Sequence, residues 1–468
     1  MDDAARKRRH RIERIAAALV ILLLAGVAGG IFWWQRKVTA ELEDSSYLPQ
    51  KFEITPEMEL LREYVRIDTS TPAGVAQGAQ WLAAQLRKHG IEPELIESAP
   101  QRVSVYARLR GRNRGEGLML FHHIDVVAAE NTGWTAPPFA GQIVGDQMYG
   151  RGTLDMKGLA ICHLLAFLEI ARKGPPAHDL VFLATPDEET GSELGMKWLF
   201  ANRPDVFADV KYGITEGGIT EIIRQKLTYY GIEVGAKQHV EFSLVGDDLE
   251  SMRQARFALE PYIFPREPER LLPEIAEFLR TIAPTRIAYR GYLANIEQTI
   301  RDGEFWRLPA TYRDLLQNTV SVTSPLQTDG RWAMTVTQLN LPDERPDERI
   351  AAVGRVVAPF GVRVGEIRKI EGPVPISRWD TPLFEIIRKE AEQRYRTPAG
   401  MQILYRSATD SRVLRTHGII SYGVAPYLVD YFQSVTIHGV NERIRLPWFQ
   451  QGVAFMRNVV TEWARGAK

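Results

Sequence analysis

Short, uninterrupted apolar runs alternate along this chain with longer stretches whose apolar positions recur every three or four residues. Residues 118–121, 180–185 and 212–215 are runs without polar alternation, the pattern of strands covered on both faces. Residues 102–109 read as a further strand. Helical spacing marks 56–67, 76–89 (ended by Gly90), 159–171 and 382–396. Strands alternating with helices predict an α/β sheet flanked by helices on both faces. From residue 235 the pattern changes. Strands predicted at 240–245, 319–322 and 332–339 surround helical stretches at 249–262, 268–282, 308–316 and 349–358. Residues 373–379 and the helical 382–396 then return to the first style. The chain thus reads as 52–235 and 369–468 with an inserted section, 236–368, between them.

One stretch fits neither style. Residues 15–34 carry no charge, and as a helix 20 residues long they would rise about 30 Å, the hydrocarbon thickness of a bilayer. Six Lys/Arg precede this run, and Arg36 and Lys37 follow it. The positive-inside rule therefore puts the N-terminus in the cytoplasm, with Trp33 and Trp34 at the far interface. The expectation is a basic cytoplasmic tail (1–14), one transmembrane helix (15–34) and a tether (35–51). The remainder would lie outside the cytoplasm, in the periplasm if the source is bacterial. A cleaved signal peptide is the rival reading, since Gly26, Val27 and Ala28 could satisfy a peptidase. The apolar run nevertheless continues through Phe32 without a polar break.

Composition adds limits. A length of 468 residues with 45% apolar content allows two folding units with sizeable cores. The formal charge is zero, but residues 1–37 hold eight Lys/Arg against three Asp/Glu, so the rest of the chain is about five charges negative. No basic field remains to recruit nucleic acid. Cys162, the single cysteine, excludes an intramolecular disulfide, and its place in an apolar helical run suits packing better than reactivity.

Candidate ligands stand where apolar runs end. His123 and Asp125 follow the 118–121 run and share one face of a strand, whereas His122 points the other way. Asp155 lies among the glycines of Gly150-Arg151-Gly152-Thr153-Leu154-Asp155-Met156-Lys157-Gly158, just before a helical run. Residues 180–185 lead into Asp187-Glu188-Glu189, residues 212–215 into Glu216-Gly217-Gly218, and 434–437 into His438-Gly439-Val440-Asn441-Glu442. Open α/β folds place their sites at such strand ends.

These motifs, in this order and spacing, resemble the dinuclear zinc family (clan MH) of aminoacylases, carboxypeptidase S, glutamate carboxypeptidase and succinyl-diaminopimelate desuccinylase, over about residues 52–463. The resemblance implies a zinc-peptidase-like mixed sheet flanked by helices, with 236–368 as an inserted ferredoxin-like α+β lid that commonly pairs two subunits. It further implies that Asp155 bridges two metals, with His123 and Glu216 on one and Glu189 and His438 on the other. Asp125 would orient His123, and Glu188 would be the general base. Nitrogen and carboxylate ligands without thiolate suit two zinc ions, with cobalt or manganese possible by the same geometry. The family's GGTDSR loop corresponds to Ser407-Ala408-Thr409-Asp410-Ser411-Arg412, so Thr409 and Arg412 would hold a substrate carboxylate.

The expected function is hydrolysis of a peptide or N-acyl amide bond beside a free carboxylate, by a membrane-anchored carboxypeptidase or N-acyl-amino-acid amidohydrolase. The alternatives are an aminopeptidase of the same clan and an inactive metal-binding interaction module. Three family features have no counterpart, one being the arginine before Leu-Pro, which is replaced near Leu339-Asn340-Leu341-Pro342. The histidine expected after Val245-Gly246 is replaced by Asp247-Asp248-Leu249-Glu250-Ser251, and the Asn-Val-Ile-Pro segment is missing between Thr323 and Trp332. Without that histidine the expectation is a monomer or weak dimer.

Overall fold

The computed structural model describes residues 51–466 apart from 131, 224–225, 264–267, 269, 329, 370–371 and 405–408. The predicted tail, transmembrane run and nearly all of the tether, like Ser407 and Ala408, lie outside the described residues. Among the described residues, no helix is long and apolar enough to cross a membrane.

The strands in chain order are β1 (Glu94–Ala99), β2 (Arg102–Leu109), β3 (Asn113–His123), β4 (Gln142–Val144), β5 (Gln147–Tyr149), β6 (His178–Thr185), β7 (Val210–Thr215), β8 (Thr220–Ile223) and β9 (Lys226–Ala236). There follow β10 (Gln238–Gly246), β11 (Thr319–Val322), β12 (Leu326–Thr328), β13 (Arg331–Asn340), β14 (Arg363–Lys369), β15 (Ala399–Leu404), β16 (Ile420–Gly423) and β17 (Arg443–Arg445). Nine of them form a mixed sheet in the order β1-β2-β6-β3-β7-β16-β9-β15, with β8 on β9. At its centre β3 runs parallel to β6 and β7, and β7 parallel to β16.

Burial on both faces explains the uninterrupted apolar runs. Leu118 and Leu120 of β3 enter one core layer with Leu180 and Phe182 of β6 and the Lys157–Lys173 helix. Met119 and Phe121 enter the opposite layer with Val181, Leu183 and Leu414. A polar residue at either register would be buried without a partner, so the strand cannot alternate. The Lys157–Lys173 helix packs against the C-terminal Leu446–Arg465 helix. Cys162 is buried there, and burial pushes its thiol pKa up, as expected of a packed cysteine.

A second sheet is antiparallel, in the order β11-β13-β10-β14 with β12 on β13. Its separate core joins Val240, Phe242, Leu244 and Val336 to Met252 of the Leu249–Ala258 helix and Val353 of the Pro346–Val357 helix. Residues 273–316 fall within the 236–368 interval but pack elsewhere. Ile275, Phe278, Leu279, Leu293 and Leu315 belong to the core of the nine-stranded sheet. Asp248, in the segment where the family carries a histidine, is a helix N-cap accepting from the Ser251 N–H at 2.9 Å.

Candidate metal centre

Three parallel strands aim their C-terminal ends at one place. His123 ends β3, Asp187, Glu188 and Glu189 follow β6, and Glu216 follows β7. Asp155 arrives on the loop before the Lys157–Lys173 helix, and its peptide bond to Met156 is cis. His438 arrives differently from its expected strand end. Residues 431–434 are one helical turn, and His438 sits in the turns that follow, at φ +60°. Asn441 (φ +61°) stabilises that left-handed stretch by accepting the Thr135 N–H at 2.6 Å.

Asp155 is the hub. Its Oδ1 lies 3.1 Å from His123 Nε2, and its Oδ2 lies 3.0 Å from His438 Nε2. Glu216 Oε1 is 3.7 Å from His123 Nε2, and Glu189 Oε2 is 3.1 Å from His438 Nε2. Two trios result, His123–Asp155–Glu216 and Asp155–Glu189–His438, each with ligand atoms within 4.8 Å of one another.

The donor chemistry fits a pair of divalent cations. With protons as the only counter-charge, burial and the neighbouring Asp155 hold Glu216 well above the usual carboxylate range. Asp155 is held low despite its burial, because both imidazoles hydrogen-bond to it. Those bonds, with Glu189, push His438 up to about 10, and the surrounding carboxylates raise His123 against the cost of its burial. Glu189 Oε1 is buried with no hydrogen-bond partner. A cation held by each trio would supply positive charge there, and one beside Glu189 would offer that oxygen a partner.

Asp125 meets both His123 and the acidic turn. His123 Nδ1 lies 2.8 Å from the Asp125 backbone carbonyl, while the Asp125 carboxylate is 3.8 Å away. That carboxylate accepts the backbone N–H groups of Glu188 (3.3 Å) and Glu189 (3.1 Å), so it holds the acidic turn in place. Glu188 joins neither trio. Burial pushes it up to about 8, and Arg412 Nη1 lies 4.0 Å from its Oε1. Arg412 is buried, and its Nη1 also reaches the Thr409 carbonyl at 3.4 Å.

Sequence reasoning missed the support beneath these groups. Glu233 is fully buried against Arg415 at 2.6 Å, beside the Gly217 and Gly423 backbones. Lys157 is buried too, donating to the Ile67 carbonyl at 2.7 Å. His122 points away from the trios, as strand alternation requires, with its ring 5.7 Å from that of His163.

The family model described as peptidase family M20/M25/M40 matches residues 119–462. A succinyl-diaminopimelate desuccinylase of Gluconobacter oxydans is 36% identical over 148 residues, which are 31% of this chain and 37% of that protein. A second, from Rhodospirillum centenum, is 35% identical over 153 residues, 30% of this chain and 39% of the relative. The chain thus matches under half the length of these relatives. Among solved structures, an M20 family metallo-carboxypeptidase of Sulfolobus solfataricus aligns with TM-score 0.65 at 18% identity, covering 87% of this chain and 99% of that one. Human carnosine dipeptidase 1 aligns with TM-score 0.64 at 15% identity, covering 87% and 97%. A dinuclear metal-binding M20 peptidase of Bacillus subtilis gives 0.55 at 12% identity, covering 88% and 99%. At such identities the structures show a shared fold.

Proposed function

We propose a function from one established premise: the chain belongs to peptidase family M20/M25/M40. The protein is a dinuclear metal-dependent hydrolase of amide bonds, and its substrates are small peptides or N-acyl amino acids cleaved beside a free carboxylate. The observation that carries this reading is Asp155, which offers one carboxylate oxygen to each of two histidine–carboxylate trios. His123 and Glu216 would hold one cation and Glu189 and His438 the other, and zinc suits this donor set. When bound, such a pair polarises the amide carbonyl and makes water a competent nucleophile.

The remaining work falls to the chain's own side chains. Glu188, outside both trios, accepts a proton from the attacking water and returns it to the leaving nitrogen. Arg412, 4.0 Å from Glu188, pairs with the substrate carboxylate and fixes the scissile bond beside that base. Asp125 keeps the Glu188–Glu189 turn in register. The uncharged run at 15–34 supports a membrane tether with the hydrolase outside the cytoplasm. The second sheet is read as the core of the family's lid, and the lack of a histidine in the 247–251 segment supports a monomer or weak dimer.

Zinc-loaded protein screened against dipeptides and N-acyl amino acids tests the reading. Turnover of carboxylate-bearing substrates, lost on chelation and restored by zinc, is expected. Failure of the loaded protein to hydrolyse any member, or equal turnover of substrates with the carboxylate amidated, would refute it.

A further inference from the structure

Asp155 and His438 share an attachment point that neither motif reveals. Glu442 is fully buried, four residues past His438, and its side chain reaches back to the 151–155 loop. Its Oε1 accepts the backbone N–H groups of Leu154 (2.9 Å) and Asp155 (3.2 Å). Its Oε2 accepts the Gly152 N–H at 3.0 Å and Arg151 Nη1 at 2.6 Å. The Glu442 backbone carbonyl accepts the Gly150 N–H at 2.9 Å. Beyond it, β17 pairs with β5, so chain segments almost 300 residues apart are tied together on both sides of Glu442.

We infer that Glu442 is a positioning residue whose carboxylate holds the Asp155 loop, so that the two Asp155 oxygens stand between His123 and His438. This inference rests on the metal reading above. Three backbone donors in a four-residue stretch converge on one carboxylate, an arrangement the loop cannot reach by its own hydrogen bonds. Gly152 is at φ +84°, and a Cβ there would meet Val126 Cγ1 at 2.8 Å, so the loop turns where only glycine fits. A buried carboxylate offers four lone-pair sites, and here charge-assisted bonds fill them. A shift of the loop by less than an ångström would move both bridging oxygens at once. The binding of the two ions is therefore coupled through Glu442.

Zinc titration of the full chain, followed by competition with a chromophoric chelator, tests this directly. Glu442→Gln replaces one acceptor oxygen with an amide that faces donors. It is expected to weaken zinc binding about 10- to 100-fold, the range for groups supporting metal ligands. In an Asp155→Asn background, where the bridge is already lost, the same change should cost no further affinity. Wild-type affinity in Glu442→Gln, or an equal loss in both backgrounds, overturns the inference. Should that variant fail to fold, the wild-type chain still decides. Amides of 152–155 should resist hydrogen exchange before zinc is added, and protection that develops only with zinc refutes the role. Failure of the wild type to bind zinc would instead sink the metal reading, so the two failures are distinguishable.

Discussion

Replacing Glu188 by Gln isolates the proton-transfer step from every other property of the site. The amide has nearly the shape of the acid, and the backbone N–H of residue 188, which donates to Asp125 at 3.3 Å, is untouched. Neither trio contains Glu188, so both cations should remain. Stability should hardly change or should rise slightly, since a buried carboxyl that burial already drives toward its neutral form is exchanged for a neutral group. What is lost is the base. General-base catalysis contributes roughly 10²–10⁴-fold, about 3–5 kcal/mol of barrier at 1.36 kcal/mol per decade. The fall should appear in kcat, with KM for a carboxylate substrate within about threefold, because Arg412 keeps its place and a uniform binding contact is not removed. The pH profile gives an independent check. Glu188 accepts a proton only when ionised, so kcat/KM of the native enzyme should rise with pH through its pKa. Burial, opposed by His123 and Arg412 and reinforced by Asp410 and Glu189, places that value at about 8, and bound cations would move it lower. The limb should vanish in Glu188→Gln. Steady-state kinetics between pH 5 and 9, as a bracketing range of roughly two units either side of neutral, with zinc content measured by mass spectrometry, makes the test. A variant that keeps both metals and turns over within tenfold of the native rate places the base elsewhere.

His438→Ala should lower bound zinc from two ions toward one after gel filtration, with the His123–Glu216 position retained. Two ions held at native affinity would contradict the assignment of the second trio. Arg412→Lys keeps the charge but loses the planar two-donor fork, and it should raise KM for carboxylate substrates about 10- to 100-fold; an unchanged KM would remove Arg412 from substrate binding. A fourth prediction concerns acid stability. Burial holds His163 at about 3 against an ordinary 6.5, and neither ring nitrogen has a hydrogen-bond partner. The unfolded chain therefore takes up the proton first, and stability falls as pH drops below about 6.5 and continues to fall until about 3. The slope is about 1.4 kcal/mol per unit, roughly 2 kcal/mol at pH 5. His163→Leu should remove that share of the difference between urea unfolding at pH 7.5 and 5, and equal differences in both proteins would refute the linkage.

The parts of the site that could be read from the sequence are those governed by local rules. Strand alternation alone puts His123 and Asp125 opposite His122, and two-sided burial alone makes 118–121 and 180–185 uninterrupted apolar runs ending at ligands. Elements whose burial is offset by distant polar partners were hidden. β9 carries Glu233 in its middle, a residue that reads as exposed until Arg415 is brought to it from 182 positions away. β15 includes Gln402, whose side chain accepts the Ile219 N–H across the sheet. The 236–368 interval was legible as a change of style but not as two destinations, because the helices at 273–316 carry the same amphipathic spacing whichever core they cover. The sharpest contrast lies within a single motif. His438 reads as a ligand by position, yet the turn that delivers it needs left-handed backbone at His438 and Asn441. That turn is held by Thr135 and by Glu442, contacts that span about 300 residues. Short spacing therefore identifies what the ligands are, while long-range hydrogen bonding decides where they stand. A substitution at Glu442 should accordingly weaken metal binding about 10- to 100-fold, although Glu442 belongs to neither trio.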